Sequence, residues 1–168
     1  VQPDRRYVLR GSLSTGFRAP SLGQSFFSST ATNFLNVPGQ GLVRFESVTL
    51  PLTSPAALVL GAQELKPENS THASAGVALT PVPGLDITLD YYRISIDDRI
   101  VLSGNFTGPV ITSLLAPFGA NSARFFTNAI DTRTNGIDIT ASYRIALGSS
   151  GDLRLNGSYN NTQTEIVG

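Results

Sequence analysis

A chain of 168 residues is one domain's worth, long enough for a sizeable core. Its formal net charge is zero and 14% of its residues are charged, which argues against nucleic-acid binding, because displacing counterions from phosphates takes a basic surface. Cysteine, tryptophan and methionine are absent, so disulfides, thiolate metal sites and a cysteine nucleophile are excluded. No apolar run reaches the roughly 18 residues of a membrane-spanning helix. Lys66 is the single lysine, while Gly, Ser, Thr and Asn are abundant. That balance disfavours long helices and predicts an all-β chain. The first residue is Val1, without a charged-then-apolar leader, which fits either a processed chain or a segment of a longer one.

Tyr7 to Phe17 is the first strand candidate and runs into Gly16-Phe17-Arg18-Ala19-Pro20-Ser21-Leu22. Pro20 cannot donate to a ladder. From Pro20 to Glu68 no long periodicity survives, and a short helix is expected at Pro55–Leu60, with Ser54 as N-cap and Gly61 as its stop. After Leu65-Lys66-Pro67-Glu68, Thr71 to Thr80 is the second strand, and Pro81–Gly84 is a tight connection. The third strand, Leu85 to Arg93, alternates most cleanly. Beyond Tyr92 the apolar parity flips to Ile94 and Ile96, which suggests a bulge or a strand leaving apolar surroundings. A second long connection follows, with helical turns expected within Pro109–Pro117. The fourth strand puts Ile137, Ile139, Ala141, Tyr143, Ile145 and Leu147 on one face and Asp138, Thr140, Ser142 and Arg144 on the other. Gly148–Gly151 is a turn, and Leu153–Tyr159 is the fifth strand.

Alternation alone also suits a soluble β-sandwich, retained as the alternative reading: an adhesion or binding module. Loop lengths favour a membrane barrel, because they run long, short, long, short (20–68, 81–84, 98–122, 148–151). Outer-membrane barrels have short periplasmic turns and long extracellular loops. Strands of about 9–11 residues are what a tilted crossing needs, and Tyr7, Tyr91, Tyr143 and Tyr159 near strand ends suit an aromatic girdle. The polar faces carry Arg6, Arg10, Asp86, Asp90, Asp138, Arg144 and Arg154, expected to line a wet lumen. With the two hairpins level at their periplasmic ends, Arg144 is expected to pair with Asp86 or Asp90.

Three stretches, Gly16–Leu22, Leu65–Glu68 and Ala123–Asp138 ("ARFFTNAIDTRTNGID"), occur in an order that resembles the TonB-dependent receptors of bacterial outer membranes. The resemblance implies an antiparallel up-and-down transmembrane barrel of about 22 strands, plugged by an N-terminal domain. It also implies uptake of a scarce nutrient, such as a ferric siderophore, cobalamin or an oligosaccharide, energised through a plug segment that touches the inner-membrane TonB complex. About five strands of such a barrel and no plug are legible, so residues 1–168 are expected to be an internal portion of the barrel's C-terminal half. The implied partners are outer-membrane lipid, the rest of the parent chain and its nutrient.

No catalytic constellation is present: there is no G-x-S-x-G elbow, and His72 is the only histidine. No metal or cofactor is expected; Asp97, Asp98 and Asp131 lack calcium-loop spacing and read as solvated charges. Binding residues concentrate on loops carried by a rigid scaffold. The candidates for ligand contact are therefore Phe26, Phe27, Phe34, Arg44 and Phe45 in the first long loop, with Phe106 and Phe118 in the second. Packing within the loop is the equal alternative for these aromatics.

Overall fold

The computed structural model describes residues 6–39 and 41–167. They form two compact units, one from the described parts of Val1–Gly16, Asn69–Asp97 and Asp131–Gly168, the other from Phe17–Glu68 and Asp98–Ile130.

The first unit is built on strands β1 (Tyr7–Arg18), β4 (Glu68–Val82), β5 (Leu85–Leu102), β7 (Phe126–Ala146) and β8 (Asp152–Ile166). They lie in one sheet in chain order, β1-β4-β5-β7-β8. Each long connection therefore returns the chain to the neighbouring position, as an up-and-down meander requires. Register follows from Gly76 opposite Asp90 in β4–β5 and Asp138 opposite Asn160 in β7–β8. The hydroxyls of Thr88 and Thr140 meet across β5–β7 at 2.5 Å, and those of Ser12 and Ser74 meet across β1–β4 at 2.8 Å.

These pairings stack side chains into rows. One odd-numbered row contains Leu9, Val77, Leu89, Ile139 and Tyr159, and the even-numbered row beside it contains Arg10, Gly76, Asp90, Asp138 and Asn160. A period of two gives each strand two unlike faces, and the register keeps like faces together across all five. The apolar face is bare: Leu9 is 82% exposed, Leu13 76% and Tyr159 58%. A contiguous uncovered apolar surface of this kind needs a non-aqueous partner. Among the described residues these side chains are exposed, not buried as those of a sandwich core would be.

In the second unit lie helix α1 (Leu22–Phe26), the hairpin β2 (Ser29–Val37) and β3 (Gly41–Thr49), helices α2 (Pro55–Val59) and α3 (Pro109–Leu114), and the short strand β6 (Ser122–Arg124). β6 pairs parallel to the end of β3. The core sits here, among Val48, Leu50, Leu52, Ala57, Leu65, Ile100, Leu115, Ala123 and Phe125. Burying Leu50 and Leu115 contributes about 1.5–3 kcal/mol each. Phe106 stacks on Phe125 with ring centroids 5.3 Å apart.

Several sequence expectations change. The hairpin β2–β3 occupies part of the stretch read as aperiodic, because β3 mixes Leu42, Val43, Phe45 and Val48 on both faces and so shows no alternation. Pro38 and Gly39 belong to the hairpin's turn, with Gly39 and Gly41 at positive φ. The strands of the five-stranded sheet run 12 to 21 residues, longer than a minimal crossing. No bulge follows Tyr92, since β5 keeps its register from Ile87 to Asp97. The irregularity lies between Leu79 and Val82 instead. Of the two options the parity flip offered, a strand leaving apolar surroundings is the one that holds: Ile94 and Ile96 pair with His72 and Ser70. Helix α2 begins at Pro55 as expected, although Ser54 makes no side-chain cap, and Gly61 follows it at φ 94°.

Gly136 is one of the positions where the sheet leaves no room for a side chain. The Tyr92 ring lies over it to reach the Thr162 hydroxyl at 2.7 Å, and a Cβ on Gly136 would run into that ring. Gly136→Val should displace Tyr92 and cost about 1–3 kcal/mol. Urea unfolding of the parent protein in detergent reads this directly, and an unchanged midpoint would remove Tyr92 packing as the reason for the glycine.

Candidate functional site

The polar face of the five-stranded sheet brings most of the charged candidates together. Arg10 reaches across Gly76 to Asp90, its Nε donating to Oδ1 at 2.7 Å and its Nη2 donating to Oδ2. Gly76 is required beneath this bridge, because a Cβ there would collide with the Asp90 carboxylate and crowd the Arg10 Nε. In the same row Asn160 donates to Asp138. Thr80 donates to Asp86 at 2.8 Å. Asp86, Thr88, Thr140, Ser142, Asn156 and Ser158 border an open polar groove of about 400 Å³.

Arg144 does not pair as expected. It shares the face of Asp86, but its N–H donates to the Gly84 carbonyl, which leaves no acidic side chain directly opposite on β5. Its guanidinium turns to Asp152, with Nη2 to Oδ2 at 2.5 Å. Asp86 and Asp90 already hold Thr80 and Arg10. Arg154 lies directly opposite Arg144, so Asp152 also offsets a like-charge pair. Arg6 is exposed, and its carbonyl accepts from the Thr80 N–H. His72 bonds to the Ser70 hydroxyl at 3.1 Å, and among the described residues no group of His, Asp and Glu is arranged to hold a metal.

The second unit holds an apolar cleft of about 680 Å³, bordered by Pro20, Phe26, Leu52, Leu58 and Leu65 with Ser25, Thr53 and Glu64. Of the loop candidates, Phe26 borders this cleft, whereas Phe27, Phe34 and Phe118 are exposed elsewhere. Phe45 is half-buried, Arg44 pairs with Glu46 at 2.9 Å, and Phe106 packs against the core.

The three stretches Gly16–Leu22, Leu65–Glu68 and Ala123–Asp138, separate in the sequence, are joined in the structure. Arg18, from the first, makes a two-pronged contact with Glu68, from the second: Nε to Oε2 at 2.7 Å and Nη2 to Oε1 at 2.6 Å. The Ile100 N–H also donates to Glu68, at 2.8 Å. Asn128, from the third motif, accepts from the Lys66 N–H at 2.8 Å and donates to the Lys66 carbonyl at 3.0 Å. Its amide also donates to the carbonyl of Asp98, the one non-glycine residue among those described with positive φ. Asn128 thus imitates a β-ladder with its side chain and holds the bend at Asp98. The only available signal was that a planar two-pronged donor and a carboxylate stood in separate motifs of one chain.

Burial alone pushes the Glu68 carboxyl up, but the hydrogen bonds from Arg18 and the Ile100 amide, with the charges of Arg18 and Arg99, outweigh it. The net direction is below an ordinary glutamate. A lowered folded-state pKa stabilises at pH above the unfolded value, about 4.3, and that contribution is lost as pH falls through the lower folded one. Glu68→Gln in the parent protein should cost about 1–3 kcal/mol at pH 7, and the gap from wild type should narrow below about pH 4. Melting curves across pH test this, and a gap that is constant with pH would show that Glu68 does not act through its charge.

A family model described as TonB dependent receptor-like, beta-barrel matches residues 1–167. Among solved structures, the RagAB peptide transporter aligns over 99% of this chain and 16% of its own, with a TM-score of 0.58 and 16% identity. The siderophore receptor PirA from Pseudomonas aeruginosa aligns over 96% of this chain and 26% of its own, also at 0.58 and 16% identity. The chain therefore spans only about a sixth to a quarter of the length of these structures. None of the curated proteins compared matches it.

Proposed function

Because this chain belongs to the TonB-dependent receptor-like β-barrel family of the bacterial outer membrane, we propose that it is part of the wall of a nutrient-uptake receptor. The observation that carries this reading is the division of five strands into one bare apolar face and one charged face within that family. The apolar face meets lipid. The charged face, with Arg6, Arg10, Asp86, Asp90, Asp138, Arg144 and Arg154, lines the lumen, where pairing such as Arg10–Asp90 keeps the wall's charges satisfied.

The long-connection end faces outward by the loop-length rule. There the apolar cleft beside Phe26 and the exposed rings of Phe27, Phe34 and Phe118, with Arg44 and Phe45, form the ligand-facing surface. The parent's plug occupies the lumen and couples uptake to the TonB complex. The substrate is a scarce nutrient such as a ferric siderophore, cobalamin or an oligosaccharide. Peptides join that set because one structure of this fold is a peptide transporter.

Two experiments test these parts separately. In cells carrying the parent receptor, a membrane-impermeant thiol reagent should label Thr140→Cys and leave Ile139→Cys unmodified; equal labelling would overturn the face assignment. Deleting the parent gene and supplying ferric chelates, cobalamin, oligosaccharides or peptides as sole sources should abolish growth on one of them. Undiminished growth on all four would remove the uptake reading.

A further inference from the structure

On the apolar face, the side-chain rows of β7 run from Ile145 to Ile137, paired with Leu153 through Tyr159 to Asn161 on β8. Eight residues span about 27 Å along a strand, roughly 20 Å along the bilayer normal at a tilt of about 40°. Beyond that band the same face changes in an ordered way. The Tyr91 hydroxyl donates to Asn135 at 3.1 Å at its edge. Two residues further, about 5 Å along the normal, β5 presents Arg93, which is exposed and makes no ion pair among the described residues. Arg133, on the neighbouring strand β7, comes next; Glu165 is 4.0 Å away, beyond hydrogen-bonding distance. The carboxylates Asp97 and Asp131 come only after these cations.

Both arginines lie at the long-connection end, and the described apolar-face rows nearer the short turns carry no arginine. The headgroup layer on each side of the hydrocarbon is about 5–7 Å thick, so Arg93 and Arg133 stand at its depth, with Glu165 directly opposite Arg133 and Asp97 and Asp131 beyond them. We propose that Arg93 and Arg133 form an outward-facing site for the phosphate of an anionic lipid headgroup in the outer leaflet. Arg93 supplies an unpaired guanidinium suited to two-pronged phosphate contact. Arg133 is held loosely enough by Glu165 to turn toward the same anion. Tyr91 and Asn135 anchor the ring level just beneath.

The inference rests on the proposed lipid-facing assignment of the apolar face. The two fail differently: labelling of Ile139→Cys would remove the face assignment, whereas a protected Ile139→Cys with no lipid preference would remove this site alone. The parent receptor in non-ionic detergent is titrated with phosphatidylglycerol, phosphatidylcholine and inorganic phosphate, and bound molecules are counted by native mass spectrometry. Phosphatidylglycerol should bind more tightly than the zwitterionic lipid. Arg93→Ala with Arg133→Ala should weaken it about 30-fold, the equivalent of about 1 kcal/mol for each cation near a lipid surface. Arg93→Gln with Arg133→Gln serves in its place if the alanine pair does not fold. Undiminished phosphatidylglycerol binding in the variant overturns the proposal. So does equal binding of both lipids, or displacement of the lipid by inorganic phosphate at equal concentration.

Discussion

The rest of the second unit depends on one buried carboxylate. Glu68 is 8% exposed, opens β4, and takes hydrogen bonds from Arg18 at the end of β1 and from the Ile100 backbone in β5. A carboxylate withdrawn from water is costly unless its lone pairs are filled. Three donors fill these, so the cost of exposing Glu68 becomes a force holding three strand segments together. Asn128 adds β7 to the same place through the Lys66 backbone. Everything carried between these strand ends, including the hairpin β2–β3 and the cleft beside Phe26, starts from this anchored frame.

The five-stranded sheet follows a different physics. It has little core of its own; its large apolar side chains are exposed, and its polar face holds paired charges and hydroxyls. In an aqueous protein that would be an aggregation surface. In a bilayer it is a wall, because the solvent on one side is hydrocarbon and every interior strand has its backbone groups filled by neighbours. Gly76 and Gly136 show how close the polar face is packed: each leaves room for a side-chain contact passing over the strand, Arg10 to Asp90 in one case and Tyr92 to Thr162 in the other. Such contacts bind non-adjacent strands, so they stiffen the wall beyond its pairwise ladders.

The pattern of residues by itself determined which side chains share a face. Side-chain direction in a strand alternates locally, so Ile137, Ile139 and Ala141 part from Asp138, Thr140 and Ser142 whatever the neighbours do. It also located a turn within Pro81–Gly84, a turn at Gly148–Gly151 and a helix start at Pro55, because Gly and Pro act on their own backbone dihedrals. At the first of these the strand runs on through Pro81 and Val82 and leaves only Pro83 and Gly84 to turn. Only the tertiary structure decided who pairs with whom. Arg144 found Asp152 rather than Asp86 because lateral register set it opposite Gly84, and because the acids of β5 were already taken by Thr80 and Arg10. The hairpin β2–β3 escaped the sequence reading because its strands are apolar on both faces. The meeting of Arg18, Glu68 and Asn128's partner Lys66 joins residues far apart along the chain, and local periodicity carries no information about such distances.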